Sequence, residues 1–157
     1  MKVNIRRANE EDFPAILALI NELAEYERAP EAVTNTVEQM GRERDYFRCF
    51  VAESADHGIV GMALYFFAYF TWVGKSLYLE DIIISKQFRK RGIGEALMKR
   101  VMREAWEENC KRVRWQVLDW NEPAISFYRK SGAEINNEWL NCTFDEKGIA
   151  LFNELNS

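Results

Sequence analysis

A basic, glycine-containing segment is the part of this chain whose residue types point most directly to chemistry. The run Phe88-Arg89-Lys90-Arg91-Gly92-Ile93-Gly94 lies between an apolar run typical of a strand, Leu77–Ser85, and an amphipathic run typical of a helix, Glu95–Asn109. Glycine lets a backbone approach a ligand closely, and the start of a helix offers unpaired N–H groups with a partial positive charge. With three basic side chains beside it, the segment predicts a site for a phosphate or pyrophosphate. The structural alternative is a glycine-containing connection with solvated charges.

The spacing of the glycines excludes two common phosphate loops. The sequence contains no Gly-x-x-x-x-Gly-Lys-Ser/Thr run of the Walker type. A dinucleotide-binding Gly-x-Gly-x-x-Gly is also absent, because Leu97 occupies the third glycine position. What remains is Arg-x-x-Gly-x-Gly after a strand, which resembles the pyrophosphate loop of the GCN5-related N-acetyltransferase superfamily, whose members hold acetyl-CoA.

Other segments narrow the resemblance to one branch of that superfamily. In order and spacing they look like the diamine (spermidine/spermine) N-acetyltransferases, and the resemblance covers nearly the whole chain. It is weakest at Gly41–Arg44 and after Gly132. The segments that carry it are Leu23–Glu27, Phe66–Lys75, Leu77–Ile84, Asp119–Tyr128 and Arg129–Ala133.

The resemblance implies one N-acetyltransferase domain over residues 1–157 with an α/β (α+β) fold. Its central sheet would be mixed and mostly antiparallel, flanked by helices, with the cofactor in a cleft between splayed strands. Hydrophobic periodicity predicts strands at Val3–Arg7, Phe47–Glu53, Ile59–Phe70, Ser76–Ser85, Val113–Leu118 and Trp139–Asp145. It predicts helices at Asp12–Tyr26, Thr36–Arg44, Gly94–Asn109, Glu122–Lys130 and Lys147–Leu155. The third helix is expected to face inward with Leu97, Val101, Met102 and Ala105.

Local signals also predict how the helix at Glu122–Lys130 begins and ends. Asn121 precedes it as a capping residue, and Pro123 suits its first turn. Gly132 is expected to end it. Between the second and third strands, Asp56-His57-Gly58 predicts the turn of a hairpin, with His57 as a turn residue.

Acetyl transfer from a thioester to an amine needs a neutral amine, a stabilised carbonyl oxygen and a proton for the leaving thiolate. The chain has one histidine, so it holds no Cys–His or Ser–His–Asp set, and direct transfer in a ternary complex is expected. Tyr128 is the candidate general acid, because the resemblance brings the sulfur of CoA to this tyrosine. The ordinary pKa of a tyrosine, about 10, matches that of an alkyl thiol. The alternative is a core aromatic beside Phe127.

Two adjacent carboxylates, Glu80 and Asp81, interrupt an otherwise apolar strand. Charges in such a position are costly unless they are paired or used. The resemblance implies that Glu80 takes the proton of the amine, through water, with Asp81 assisting. Neighbouring residues of a strand face opposite sides, so the two share one role only if a bulge intervenes, and such a bulge is a feature of the superfamily. A buried salt bridge to an arginine is the alternative.

The resemblance extends the acetyl-CoA site along the strand and the loop. The backbone of Ile82, Ile83 and Ile84 would pair with the pantetheine arm, with the Ile82 N–H as the oxyanion donor. The pyrophosphate loop and the contact to the CoA arm would comprise Arg89, Lys90, Arg91, Gly92, Ile93, Gly94, Glu95 and Asn121.

Three further residues are candidates for binding the amine. Tyr26 and Glu27 match the substrate-binding pair of the branch, and their alternative role is to pack and solvate a helix end. Trp72 would wall an alkyl chain, or it packs. The late acidic substrate residue of the branch is not carried over, because Asn136–Trp139 is shorter than the pattern.

The composition of the chain indicates which partners and which cellular compartment are expected. The net charge of −4 argues against a general nucleic-acid binder, and no apolar run approaches the ~18 residues of a membrane span. No signal-peptide pattern is expected at the N-terminus. Cys49, Cys110 and Cys142 form neither a metal-ligand spacing nor a disulfide framework, so a cytoplasmic protein without a metal is expected. The resemblance adds a homodimer.

The sequence thus predicts an acetyl-CoA-dependent N-acetyltransferase that acts on a primary amine of a small aliphatic substrate. Polyamines or diamines and thialysine or lysine-like amino acids both stay open. Two rivals remain: an acetyltransferase for peptide or protein amines, and a catalytically silent acyl-CoA-binding module.

Overall fold

The computed structural model describes residues 2–155, which form two compact units that meet in sequence between Gln116 and Val117. The first unit contains the sheet. Its strands are β1 (Asn4–Arg7), β2 (Arg48–Ser54), β3 (Gly58–Phe70), β4 (Gly74–Ile84) and β5 (Val113–Arg114). Its α-helices are α1 (Phe13–Tyr26), α2 (Val37–Arg42) and α3 (Ile93–Glu107). Short 3-10 turns lie at Glu10–Asp12, Pro30–Ala32, Arg44–Tyr46 and Lys86–Phe88.

The five strands lie in the sheet in the order in which they occur in the chain. The first three pairings are antiparallel, and β5 pairs with β4 in parallel. The predicted mixed, mostly antiparallel sheet is therefore confirmed, including the hairpin between β2 and β3. Gly58 in its turn has a φ of +66°, a conformation that glycine adopts without a Cβ penalty.

The core between the sheet and α1 follows from the apolar spacing of that helix. Phe13, Ile16 and Leu19 are buried, with other apolar side chains of α1 partly buried beside them. They pack against Met40 of α2 and against residues on one face of the strands, namely Cys49, Val51, Met62 and Ile83. Burial of a side chain of this size contributes about 1.5–3 kcal/mol, so this contact fixes α1 to the sheet.

Helix α3 departs from its predicted inward face at one position. Leu97, Val101 and Ala105 are buried as expected, but Met102 is exposed, and the prediction for it is wrong. Glu104 is buried instead, because arginines from two strands and from α3 itself neutralise its carboxylate, at 2.5 Å from Arg7 and 3.0 Å from Arg100. The periodicity of apolar residues cannot indicate a buried ion pair.

The second unit contains α4 (Glu122–Lys130) and α5 (Glu146–Leu155). Asn121 caps α4 as predicted, since its side-chain oxygen accepts the N–H of Ala124 at 3.4 Å. After the helix, Gly132 has a φ of +89°, as a helix-ending glycine requires. Helix α5 begins one residue earlier than expected.

Two strand predictions are wrong. The strand expected at Val113–Leu118 contains only Val113 and Arg114, and Trp139–Asp145 forms no strand. Trp139 and Leu140 are 71% and 91% exposed, so the apolar residues that suggested a strand are not buried. A strand needs a hydrogen-bonded neighbour, which a pattern of side chains does not supply. No helix in the described part of the chain is long and apolar enough to cross a bilayer.

Candidate functional site

The basic loop joins β4 to α3 in a conformation that suits an anion. Lys90 and Gly92 have positive φ values of 61° and 78°, with Arg91 between them. Gly92 occupies the capping position of α3, and no side chain among residues 2–155 caps that helix. A Cβ on Gly92 would meet no atom within 4 Å, so the space beside this turn is open. Alternating backbone handedness before a helix turns N–H groups toward one point, the arrangement that binds phosphate.

Some side chains of the loop point into the protein and others point into solvent. Phe88 is buried and anchors the loop, whereas Lys90, Arg91 and Glu95 are exposed. The guanidinium of Arg91 lies over the ring of Phe88, 5.7 Å from its centroid. The guanidinium of Arg89 lies over the ring of Tyr26 at the end of α1. Ile93 is buried at the start of α3, and Gly94 is packed so closely that a Cβ would lie 3.1 Å from Cδ1 of Ile84.

The end of β4 has a strand on only one side. Ile82, Ile83 and Ile84 pair with Ala63, Met62 and Gly61 of β3. On the other side, the described part of β5 pairs only with Leu77 and Tyr78. The last six residues of β4, Leu79–Ile84, therefore have no neighbouring strand at this edge. Such an edge presents backbone N–H and C=O groups that an extended arm can pair with.

A β-bulge lies at Glu80, as the sequence analysis required for the two carboxylates to act together. Leu64 of β3 is opposite Asp81, whereas the next residue, Tyr65, is opposite Leu79. Glu80 is the additional residue of β4 and has no partner in this register. A bulge breaks the strict alternation of side chains along a strand, so the usual rule that neighbours face opposite sides does not hold for this pair.

Two carboxylates of the first unit, Glu80 and Glu27, act on a third, Asp81. Burial, and to a smaller extent the negative charges of Glu80 and Glu27, raise the pKa of Asp81 to about 6. Glu80 is exposed, and Glu27 follows the last residue of α1. Desolvation also raises the pKa of Glu27 above its usual value, although much of this residue is exposed. The edge of β4 and the end of α1 thus bring together an acidic group.

None of these three carboxylates forms an ion pair with a lysine or arginine of residues 2–155. The twelve ion pairs of that region all involve other acidic residues. The alternative of a buried salt bridge at Glu80 or Asp81 is therefore wrong. Three neighbouring negative charges without a protein cation favour a cationic ligand.

Trp72 is not among the residues that the fold brings to these carboxylates. It is 86% exposed in the turn between β3 and β4. Asp81 is seven residues further along β4 than Gly74, at which the strand starts, a separation of about 23 Å at ~3.3 Å per residue. Its assignment to the substrate stays a prediction.

The remaining predicted residues lie in the second unit. Tyr128 on α4 is 7% exposed, and its ring is 5.5 Å from the ring of Phe127. Asn121 caps α4, so its side-chain oxygen is used within its own unit. The roles of both residues in binding acetyl-CoA stay predictions.

One residue at this site was missed by the sequence analysis. Glu22 of α1 accepts the backbone N–H of Lys86 at 2.6 Å, across from the basic loop. Glu22 is four residues before Tyr26, so both lie on one face of α1. An acidic residue on the helical face that carries the proposed substrate residues was the signal that could have indicated it.

Comparison with known proteins agrees with this geometry. The model of the Acetyltransferase (GNAT) family matches residues 6–133. The chain is 37% identical to the thialysine N-epsilon-acetyltransferase of Mus musculus, over 92% of this chain and 94% of that protein. It is 39% identical to the enzyme of the same name from Bos taurus, over 84% of each chain. It is also 35% identical to the spermidine/spermine N(1)-acetyltransferase-like protein 1 of Homo sapiens, over 82% of this chain and 20% of that protein.

Solved structures show the same fold at lower identity. An integron cassette protein of V. cholerae superimposes with a TM-score of 0.77 at 22% identity, covering 98% of this chain and 99% of that chain. An aminoglycoside acetyltransferase from an uncultured soil metagenomic sample gives a TM-score of 0.76 at 21% identity, covering 91% and 97%. The chain belongs to the Acetyltransferase (GNAT) family and is an N-acetyltransferase of the thialysine and diamine branch.

Proposed function

We propose that this N-acetyltransferase uses acetyl-CoA and acetylates a primary amine of a small aliphatic cation by direct attack in a ternary complex. The observation that carries the proposal is the group formed by Glu27, Glu80 and Asp81, three carboxylates without a protein cation. They belong to the same compact unit as the open edge of β4 and the basic loop. A cationic substrate would supply the missing positive charge next to the reacting group.

The residues of the first unit fit acetyl-CoA. The positive φ values at Lys90 and Gly92, and the open space beside Gly92, support pyrophosphate binding at the backbone N–H groups that begin α3. Lys90 and Arg91 would add charge. The edge of β4 would pair with the pantetheine arm, and the N–H of Ile82 would stabilise the carbonyl oxygen as it gains negative charge.

The carboxylate pair on β4 would accept the proton of the substrate ammonium. An amine has a pKa of about 10, so a base with a raised pKa is better matched to it than an ordinary carboxylate. We propose Glu80 as the residue that contacts the amine through water and Asp81 as its partner. Because the two interact, the pH dependence of the reaction would report on the pair and not on either residue alone.

Tyr128 is proposed to donate a proton to the departing thiolate. It is buried, and the usual pKa of a free tyrosine, about 10, matches that of an alkyl thiol. One proton of the ammonium passes to the carboxylates before the attack. The bond between the carbonyl carbon and sulfur then breaks as the bond to nitrogen forms, and the thiolate takes the tyrosine proton. The second proton, which the nitrogen loses once it is acetylated, passes through water and restores the tyrosine hydroxyl.

The relatives support two classes of substrate. Proteins named thialysine N-epsilon-acetyltransferases match the chain over 84–92% of its length, which favours a lysine-like amino acid. A polyamine or diamine is favoured by three carboxylates, which suit a second ammonium better than a substrate carboxylate. We propose that the substrate carries at least two amino groups, a property that both classes share.

An acetyl-CoA consumption assay with a panel of amines tests the proposal. The panel contains a short diamine, spermidine, thialysine, lysine and a lysine-containing peptide. Turnover with at least one small amine, at a kcat/KM at least tenfold above that of the peptide, is the expected result. Preference for the peptide would replace the proposal with the peptide acetyltransferase. CoA binding without turnover of any amine would favour the silent acyl-CoA-binding module.

The assembly and the compartment complete the proposal. We propose a homodimer in the cytoplasm. All three cysteines are free thiols, and Cys142 is exposed, which is compatible with a reducing compartment. Sedimentation of the purified chain at micromolar concentration tests the dimer, and a monomer mass would contradict it.

A further inference from the structure

Arg89, the first residue of the Arg-x-x-Gly-x-Gly motif, binds the protein itself at two places. Its Nε–H donates to the carbonyl oxygen of Ile84, the last residue of β4, at 2.9 Å. Its guanidinium lies over the ring of Tyr26, 5.2 Å from the centroid, which is within the range of a cation–π contact. One side chain therefore connects the end of β4 to the end of α1.

Glu22 strengthens the same connection from the side of α1. Its carboxylate accepts the N–H of Lys86 at 2.6 Å and lies 3.9 Å from Nη2 of Arg89. Lys86 begins the short 3-10 turn that precedes the glycines of the basic loop, and Arg89 directly follows that turn. Two side chains, one from each element, thus hold the last turn of α1 against the beginning of the loop.

The end of α1 that is held in this way carries Glu27. Its own backbone is fixed by hydrogen bonds from the N–H groups of Glu27 and Ala29 to the carbonyl oxygens of Leu23 and Ala24, at 2.8 and 2.9 Å. Glu27 lies near enough to Asp81 for its charge to act on that carboxylate. The position of α1 relative to β4 therefore sets the spacing of the acidic group.

We propose that Arg89 is a positioning residue of the amine site: it holds Tyr26 and Glu27 at the proper distance from Asp81 and links that site to the basic loop. This inference rests on the proposed function. It changes the role expected for Arg89 from the sequence, which was a cofactor contact. Lys90 and Arg91, whose side chains are exposed, remain the charges available to a pyrophosphate.

The two roles of Arg89 are separated by a donor that lacks the pyrophosphate. The KM for the amine is measured with acetyl-CoA and with S-acetylpantetheine, for the wild type, Arg89→Ala and Arg91→Ala. A positioning role predicts that Arg89→Ala raises the amine KM about fivefold or more with both donors, the lower end of typical coupling between sites. Arg91→Ala, the matched control in the same loop, should raise the KM for acetyl-CoA but leave the amine KM unchanged with S-acetylpantetheine.

Two results of these kinetic measurements overturn the proposal. One is a wild-type amine KM in Arg89→Ala with S-acetylpantetheine, which would make Arg89 a pyrophosphate ligand. The other is full restoration of the amine KM by Arg89→Lys. A lysine keeps the charge but lacks the planar group that can donate to a carbonyl while it stacks on a ring.

Hydrogen exchange tests the positioning role even if the wild type acetylates no amine. In the protein without ligands, the amides of Glu27, Arg28 and Ala29 are hydrogen-bonded and should be protected. They should exchange at least about fivefold faster in Arg89→Ala and at the wild-type rate in Arg91→Ala. Unchanged protection in Arg89→Ala would overturn the inference, whereas absent turnover in the wild type with faster exchange in the variant would count only against the proposed function.

Discussion

Glu27 at the end of α1 raises the pKa of Asp81 on β4, although the two residues are 54 positions apart in the chain. Burial is the larger cause, and Glu80 adds a second negative charge. Selection for stability alone would favour an apolar residue or a paired charge at the position of Asp81. A carboxylate that is desolvated without an ion pair lowers the stability of the fold, and this cost indicates a functional role.

Asp81→Asn should make the protein more stable at neutral pH. The folded pKa of Asp81, about 6, is above its unfolded value of 3.8, so the folded state binds the proton more tightly. Stability consequently falls as the pH rises from about 4 through 6. The substitution should remove this decline and raise the free energy of unfolding at pH 8 by about 1–3 kcal/mol, with little change at pH 4.

Urea unfolding between pH 4 and 8 measures this effect, with Asp56→Asn as the control. Asp56 is an exposed carboxylate in the turn between β2 and β3, so its removal should leave the pH dependence as in the wild type. An Asp81→Asn curve parallel to that of the wild type would show that Asp81 is not desolvated.

Gly92→Ala should weaken acetyl-CoA binding more than its effect on stability explains. Gly58 provides the control, because both glycines have a positive φ and open space where a Cβ would lie. Each alanine should therefore cost a similar ~1–2 kcal/mol of stability. Only the methyl group at Gly92 would stand in the space proposed for the pyrophosphate. Calorimetric titration with CoA should show at least about tenfold weaker binding for Gly92→Ala alone; equal affinity in the two variants would mean that CoA binds elsewhere.

Tyr128→Phe removes one hydroxyl from a buried ring and tests the general acid. Loss of a general acid typically costs about 10²–10⁴ in rate, so kcat should fall within this range while CoA affinity is nearly kept. Phe127→Leu is the control for packing, since these two rings are in contact. If kcat of Tyr128→Phe stays within about threefold of the wild type, water protonates the thiolate and the tyrosine is a packing residue.

The sequence predicted most of the first unit because its signals are local. Alternating apolar residues indicated the strands, and the position of Gly92 between a strand and a helix indicated the loop. The resemblance to the superfamily implied a bulge near the two carboxylates, and the register of β3 and β4 has one at Glu80. The strands and the loop depend on residues that are close in the sequence.

The errors concern features that depend on partners far away in the chain. Trp139–Asp145 has a strand-like pattern, but the pattern cannot supply a neighbouring strand. Met102 was placed in the core because the ion pairs that bury Glu104 come from Arg7 and Arg48, which lie 97 and 56 positions from it in the chain. The stacking of Arg89 on Tyr26 likewise joins two segments that no local pattern connects.

Glu104→Gln should destabilise the fold without changing acetyl-CoA binding. The carboxylate contacts three arginines, Arg7, Arg48 and Arg100, and is 2% exposed. Removing one partner of a buried ion pair costs about 3–5 kcal/mol. These arginines are partly exposed and can regain water, so we expect about 2–3 kcal/mol. Glu107→Gln, which removes an exposed partner of Arg103, should cost less than about 1 kcal/mol. If Glu104→Gln and Glu107→Gln lowered the free energy of unfolding in urea equally, the ion pairs of Glu104 would not stabilise the packing of α3 on the sheet.

Glu80 and Glu27 are expected to have different roles in the reaction. Glu80→Gln should lower kcat most at neutral pH, and the loss should shrink as the pH rises, because alkaline solution supplies the neutral amine without a base. Glu27→Gln should mainly raise the KM for cationic amines, since it removes an attraction present in both the ground state and the transition state. Its effect should be larger for a polyamine than for an amine with one positive charge, because the distal ammonium loses its partner.

The measurement is a pH profile of kcat and KM for both variants with two amines of different charge. Glu27→Gln carries a further signature, since removing its charge should shift the acidic limb of the profile to lower pH by lowering the pKa of Asp81. Glu25→Gln is the matched control, because Glu25 lies two residues before Glu27 and is also exposed, and it should leave both parameters unchanged. Identical profiles for Glu80→Gln and Glu27→Gln would contradict the division of roles, and an unchanged KM for both amines in Glu27→Gln would reduce Glu27 to a surface charge.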